Sequence, residues 1–172
     1  AIIGADSEPL RLTEHGELMA QMPLHPRLAH MLLVASAIGA IDTGALLAAL
    51  LSERNPLNHG GAEISRTLAV LCDEIPCQSG QRAWYKRTRK QAARFAELTR
   101  RLTSSDTKAQ ITDSADVLAV LLASAYPDRI AQLRSQTDCS QYQLANGRGA
   151  TLSNNDSLAG CKWLAVAEVG GR

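Results

Sequence analysis

Apolar residues recur at intervals of three and four from Leu28 onward. Leu28, Met31, Leu32, Ala35 and Ile38 share one face of a 3.6-residue period. Pro26 suits the first turn of that helix, where a missing N–H is no loss, and Gly39 suits the residue just past its end. Asp42 or Thr43 is placed to cap a second helix over ALLAALLSER. Its apolar residues lie nearly all round, so it is expected to be central and buried, closed by Pro56, with NPLNHGG as a loop. A shorter pattern from about Glu63 to Glu74 carries Ile64, Leu68 and Leu71 on one side and ends before Pro76.

The next helix alternates differently. Trp84, Thr88, Gln91, Phe95, Leu98 and Leu102 form a stripe by fours and threes, and basic residues fill the remaining arc. SSDTKAQITDS, residues 104 to 114, is a polar break. Asp113 or Ser114 is then placed to cap ADVLAVLLASA, apolar almost all round, which ends before Pro127. In YPDRI, Asp128 and Arg129 read as a helix start, with the acid complementing exposed N–H groups. After about Ser135 the pattern changes to short strands, YQLA, GATL and KWLAVAEV, divided by the turn signals NG, SNND and AG. Fewer than 40 residues follow Ser135, so the chain is expected to stop inside a β domain.

Composition narrows the class. The 172 residues are 45% hydrophobic and 20% charged, which indicates a globular chain rather than a disordered or fibrous one. Aromatics are only 3%, so Ala, Leu, Val and Ile must build the core. No apolar run approaches the roughly 18 residues of a membrane span, and AIIGADSEPLR has no basic region followed by an apolar one. A cytoplasmic protein is expected. Cys72, Cys77, Cys139 and Cys161 are too few and scattered for a disulfide framework and read as free thiols.

The net charge of +1 conceals an asymmetry. Residues 82 to 101 hold eight of the 18 Lys and Arg (Arg82, Lys86, Arg87, Arg89, Lys90, Arg94, Arg100, Arg101) against Glu97, so this segment is +7 and the remainder −6. Such a concentration suggests a phosphate-bearing partner, although a charged helical face is also common as solvated surface. Arg and Lys would neutralise phosphates, and Trp84 or Tyr85 could stack on an unpaired base, but Trp84 also belongs to the apolar stripe and so to the core.

Other chemistry finds little support. A zinc site from His15, His25, His30, His59 and the cysteines lacks the usual spacing: His25 and His30 are five apart, and Cys72 and Cys77 have no matching second pair. There is no GxSxG and no phosphate-cradling GxxxxGK[ST], and NGRGA (146–150) reads as a hairpin turn. No cofactor, metal or catalytic residue is assigned to this chain.

Read together, LTEHGELMAQMPLHPRLAHMLLVASAIG, ALLAALLSERNPL, AYPDRIAQ, YQLANGRGATL and WLAVAEV resemble, in order, the C-terminal region of the bacterial HrpB group of DEAH-box ATP-dependent helicases. The resemblance implies a mainly α fold, a ratchet-type helical bundle followed by a small, incomplete OB-like β segment. Residues 1–22 would end a winged-helix region, 23–125 form the ratchet domain and 126–172 begin the OB-like part. Ending at Arg172 leaves too little chain to close a five-stranded barrel.

The resemblance further implies an ATP-dependent RNA helicase as parent, with ATP and Mg²⁺ bound upstream between motor domains that are also partners. Single-stranded RNA, or DNA, would be held by this part, acting as a monomer away from membranes. On the resemblance, Ser52 and Arg54 of LLSER lie toward the nucleic-acid channel. The face of Arg82, Lys86, Arg87, Arg89, Lys90 and Arg94 is a nucleic-acid candidate on physical grounds alone. PLHPRLAHMLL, by contrast, looks like the start of the first ratchet helix, with Arg27 pointing outward and the histidines free of any catalytic role; Asp128 and Arg129 would join bundle to sheet. The competing reading is a non-enzymatic adaptor whose basic helix binds RNA or an acidic protein, and a third makes the basic face a docking surface for the parent's other domains.

Overall fold

The computed structural model describes residues 2–3, 11–52, 64–103, 114–135 and 139–168. Two short strands, β1 (Ile2–Ile3) and β2 (Arg11–Leu12), pair antiparallel ahead of α1 (Glu14–Ala20). The helices α2 (Pro26–Ala37), α3 (Ile41–Ser52), α4 (Ile64–Leu71), α5 (Arg82–Leu102) and α6 (Ser114–Ala125) then build the bundle. A sheet follows, with β3 (Ile130–Leu133), β4 (Gln141–Leu144), β5 (Gly149–Thr151) and β6 (Trp163–Ala165). Its strand order is β5-β4-β3-β6, all neighbours antiparallel. The mainly α bundle with a small β segment is thus observed. No described helix is long and apolar enough to cross a membrane.

Local sequence explains most helix ends. Thr13 caps α1, its hydroxyl accepting from the Gly16 N–H at 3.1 Å. Pro26 opens α2 behind His25, whose Nδ1 accepts from the Arg27 N–H. Gly39, at φ 75°, ends the same helix: its N–H donates to the Ser36 carbonyl and that of Ala40 to the Ala35 carbonyl, the paired bonds of a left-handed C-terminal cap. Helix α3 departs from expectation. It begins at Ile41, so Asp42 and Thr43 lie in its first turn and do not cap it; Asp42 instead pairs with Arg100 at 2.6 Å. Likewise Ser114 is the first residue of α6 rather than its cap, and Asp113 lies outside the described residues, as do NPLNHGG, Glu63, Arg54 and most of the polar break.

The bundle's core is one cluster made mostly of small and aliphatic side chains. Met31 and Leu32 of α2, Leu47, Ala48 and Ala49 of α3, Leu71 of α4 and Leu121 of α6 are all essentially inaccessible. Helix α3 is the central element that its all-round apolar sequence implies, and its most extensive packing is against α5. The buried line of α5 differs from the expected stripe: Trp84, Thr88, Ala92, Phe95, Ala96 and Thr99 are buried, whereas Gln91, Leu98 and Leu102 are half-buried. Helix α3 buries Gly44, Ala45, Ala48 and Ala49, small residues that let its neighbours approach closely, and α5 buries Ala92 and Ala96. A chain of hydroxyls closes the far end, Ser36 Oγ donating to Thr103 Oγ1 and Thr103 Oγ1 to the Thr99 carbonyl, each at 2.8 Å.

The sheet starts earlier than its sequence suggests. Pro127–Arg129 forms a single 3₁₀ turn instead of a helix start, and Ile130–Leu133 is already strand. The YPDRI segment works as a joint. Arg27 is not directed outward: it is half-buried, forms an ion pair with Asp128, and lies 5.4 Å from the Tyr126 ring centre. Arg129 stacks over the same ring at 4.8 Å and donates to the Ala167 carbonyl beyond β6. PLHPRLA and AYPDRIA, 101 positions apart, are therefore in contact through the Arg27–Asp128 pair. The sheet has its own small core of Ala131, Tyr142 and Leu144. Tyr142 Oη donates to the Leu158 carbonyl and accepts the Gly160 N–H. The Asn146–Gly147 turn between β4 and β5 is the hairpin that NGRGA implies, with Gly147 at φ 85°.

Two predictions follow from this packing. A Cβ at Gly44 would sit 2.5 Å from Ala35 Cβ, a contact between the backbones of α3 and α2 that no side-chain rotation relieves. Gly44→Ala should therefore lower unfolding free energy by about 1–3 kcal/mol, reversing the usual gain from alanine in a helix; chemical denaturation would show it, and a variant as stable as the parent would contradict the close approach. Second, His15 Nε2 and His30 Nδ1 are 2.8 Å apart, linking α1 to α2. Burial, and then the neighbouring His15, holds His30 below the ordinary imidazole value. An unfolded imidazole binds its proton near pH 6.5, so stability should be full above that value and fall as pH drops from there through the lower folded value. His30→Gln should flatten this part of a melting-temperature profile.

Candidate nucleic-acid interface

Helix α5 follows a 3₁₀ turn at Ser79–Gln81 and begins without a side-chain cap. Its last turn carries Arg100 and Arg101, where cations complement the helix dipole. Its first turn holds no acid, and Arg82 opposes the dipole there, followed one turn on by Lys86. Helix stability alone does not explain that placement, and such local conflict is a feature of functional surfaces. Because the α3-facing side takes Trp84, Thr88, Ala92, Phe95, Ala96 and Thr99, the cations are turned outward: Arg82, Lys86, Arg87, Arg89, Lys90 and Arg94 are all exposed.

Three of these cations share one groove. Arg87, Lys90 and Arg94 line a depression of about 520 Å³ whose apolar parts come from Pro23, Phe95 and Leu98, with Gln91 between them. Positions 87, 90 and 94 fall on one helix face over a rise of about 10.5 Å. That length spans roughly two phosphate-to-phosphate steps of an extended single strand. Pro23 comes from the PLHPRLA segment, so the start of α2 supplies one wall.

The other candidates are placed differently. Arg89 is committed elsewhere: its guanidinium meets the Asp73 carboxylate and the Tyr85 hydroxyl and lies 5.5 Å from the Tyr85 ring centre. Tyr85 Oη also donates to Asp73, and this hydroxyl, then Arg89, holds the Asp73 carboxyl below its ordinary value. Asp73 occupies a left-handed conformation, φ 64°, at the end of α4, where its own N–H and that of Glu74 donate back to Val70 and Ala69. Glycine usually takes that place. Arg82 and Lys86 lie toward the start of α5, outside the groove lining. Ser52 is exposed at the end of α3, with its hydroxyl donating to the Ala48 carbonyl at 2.7 Å. The Asp42–Arg100 pair sets the start of α3 beside the end of α5, so the helices run antiparallel and Ser52 lies toward the cationic start of α5. Arg54 lies outside the described residues.

Sequence periodicity missed the groove walls. Gln91 and Leu98 read as core, and Pro23 as a mere helix lead-in; half-burial of the first two is what makes a concave wall beside the cations. Among the described residues no cluster of three or more His, Cys, Asp and Glu could hold a metal ion.

Comparison with known proteins gives a consistent answer. No protein-family model matches the sequence. The ATP-dependent RNA helicase HrpB of Escherichia coli (strain K12) is 34% identical over 154 residues, covering 90% of this chain and 16% of the helicase. The crystal structure of the E. coli DExH-box NTPase HrpB superposes with a TM-score of 0.66 at 31% identity, over 94% of this chain and 17% of that one. A second crystal structure, of the E. coli DEAH/RHA helicase HrpB, gives 0.63 at 31% identity over 89% and 16%. The chain is homologous to HrpB, shares the fold of its C-terminal region, and spans about one-sixth of the helicase's length.

The Asp73 arrangement is testable by itself. Asp73→Gly and Asp73→Ala both remove the carboxylate, but only glycine accepts φ 64° without strain. The glycine variant should melt above the alanine variant, and equal melting points would mean that the turn relaxes.

Proposed function

We propose that this chain, homologous to part of HrpB, is the nucleic-acid-holding portion of an ATP-dependent RNA helicase. The groove of Arg87, Lys90 and Arg94 against α5 is the observation that supports this reading most directly. Three cations along an apolar-walled groove suit a phosphodiester backbone, because such contacts fix a strand without reading its bases. A motor that moves along any sequence needs that indifference. In this reading residues 1–22 end a winged-helix region, 23–125 form the ratchet domain and 126–172 begin an OB-like part. Lys86 and Arg82 extend the cationic path past the groove, and Ser52 lies toward the same end of the bundle; Arg54 is assigned to the same role on the resemblance alone.

The parent's chemistry lies elsewhere in the larger protein. This sequence has no GxxxxGK[ST], so ATP and Mg²⁺ belong to the motor domains, and the role of these residues is to hold the strand while those domains move. The protein is proposed to act in the cytoplasm as a monomer on single-stranded RNA, with DNA as a competitor of the same backbone chemistry. The isolated chain should hydrolyse no ATP.

Binding of the chain to a fluorescent single-stranded RNA across a salt series tests the proposal. Affinity should fall as salt rises, and Arg87→Ala/Lys90→Ala/Arg94→Ala should reduce the slope of log K against log salt by about 0.7 per lost phosphate contact, about 2 in all. An unchanged slope would assign the groove to protein docking or to solvent.

A further inference from the structure

Two cysteines that are distant in sequence come together at the lead-in to β6. The Gly160 N–H donates to the Cys139 carbonyl at 3.0 Å, and a Cβ built on Gly160 would lie 3.7 Å from both Cβ and Sγ of Cys139. A disulfide joins Cβ atoms about 3.5–4.5 Å apart, so the Cys139 side chain stands at bonding range from the position next to Cys161. Gly160 is at φ 83°, and Cys161 closes a tight turn there, its N–H donating to the Leu158 carbonyl at 3.2 Å. The Tyr142 hydroxyl, which accepts the Gly160 N–H, senses both thiols. Burial pushes its titration up first, the Gly160 bond acts against that, and thiolates at Cys161 and Cys139 would each push it further up. Both cysteines are exposed and reduced.

The surroundings select a reagent. Cys139 and Gly160 line a depression of about 370 Å³ together with Arg134 and Lys162, and no carboxylate lines it. Neither cation pairs with an acid among the described residues, so an anionic reagent is drawn to this thiol. Cys72 is the contrast: partial burial, then Glu74, push its thiol up, and only a thiolate attacks a disulfide. We propose that Cys139 and Cys161 are a reversible redox pair, oxidised to an intramolecular disulfide by a small carboxylate-bearing disulfide that the depression holds against Arg134 and Lys162. The Cys139 thiolate attacks one sulfur of that reagent, its S–S bond breaks, and the first half leaves as a thiolate that takes up the proton Cys139 gave away. The Cys161 thiolate then attacks the Cys139 sulfur of the mixed disulfide and expels the second half in the same way. Two protein thiols and one small disulfide become one protein disulfide and two small thiols, with no other oxidant. The new bond clamps the lead-in of the edge strand β6 to the β3–β4 connection, and a reductant releases it. Exposed, labile disulfides of this kind are the ones that serve as redox sensors. No step depends on the α5 groove.

Mass spectrometry of the whole chain after treatment with oxidised glutathione tests the pair. Trypsin cuts after Arg134, Arg148 and Lys162, so Cys139 and Cys161 fall in separate peptides, 135–148 and 149–162. The chain should lose two hydrogens, join those two peptides, and return to its starting mass with dithiothreitol. Cys161→Ser should stop at the mixed disulfide and keep one glutathione on Cys139. Cys139→Ser should form no linkage and should take up glutathione at Cys161 more slowly than Cys161→Ser does at Cys139. Arg134→Ala/Lys162→Ala should slow the reaction with oxidised glutathione on the order of tenfold and leave that with uncharged hydroxyethyl disulfide unchanged. Circular dichroism would confirm that these surface variants fold. The proposal is overturned if the folded parent carries glutathione without the 139–161 linkage, if Cys72 or Cys77 reacts first, or if the linkage forms as fast in urea as in the folded chain. Removing Arg134 and Lys162 without any change in the glutathione rate would overturn the choice of reagent.

Discussion

The close approach of α3 to its neighbours governs the rest of the bundle. With Gly44 against Ala35 and three further small residues buried, α3 sinks into the centre and buries apolar surface on nearly every side. Each buried aliphatic side chain there contributes on the order of 1.5–3 kcal/mol relative to exposure. Once α5 must give Trp84, Ala92, Phe95 and Ala96 to that contact, the register of its 3.6-residue period leaves its cations no orientation but outward. The exposed basic face is thus a consequence of core packing, and its strength comes from the unusual number of cations encoded on the remaining arc.

Several charges are used by the fold itself, and one of them, Arg89, lies on that face. Arg100 fastens α5 to α3 through Asp42, Arg89 fastens it to the end of α4 through Asp73, and Arg27 fastens α2 to the sheet joint through Asp128. These pairs are partly or well exposed, where each contributes little net stability, about 0–1 kcal/mol for such pairs in general. Their value is directional: each joins elements distant in sequence and fixes how they meet. Arg87, Lys90 and Arg94 line the groove, beside apolar walls that would not screen a bound phosphate as bulk water does.

Much of this arrangement was legible in the sequence, and the failures share a cause. Helices appeared where apolar period and end signals agreed, as at Pro26 and Gly39, and the family resemblance named the region that the comparisons then matched. The misread positions are those decided by tertiary contact. Asp42 has the chemistry of a cap, but Arg100 lies within reach and claims it; Arg27 has the profile of a surface residue, but the fold brings Asp128 to it from 101 positions away. Similarly, Ile130–Leu133 is short and apolar, equally suited to a helix end, and becomes strand because β4 and β6 offer it backbone partners on both edges. The groove was half legible: its cations are plain in the charge pattern, whereas its walls depend on which of Gln91, Ala92, Leu98 and Thr99 the neighbouring helix covers.

The joint between bundle and sheet is built from side chains that the sequence holds far apart. Tyr126, Arg27, Asp128 and Arg129 meet there: Arg27 pairs with Asp128, both guanidinium groups lie over the Tyr126 ring, and Arg129 reaches the carbonyl of Ala167 behind β6. Because β3 begins directly after Arg129, these contacts fix how the sheet leaves the bundle. Each is partly exposed and weak by itself, so the angle is set by several directional contacts acting on one short segment and not by a buried core. The two motifs most characteristic of the chain's sequence therefore meet at the point where a change in angle would alter how the sheet is placed against the helices.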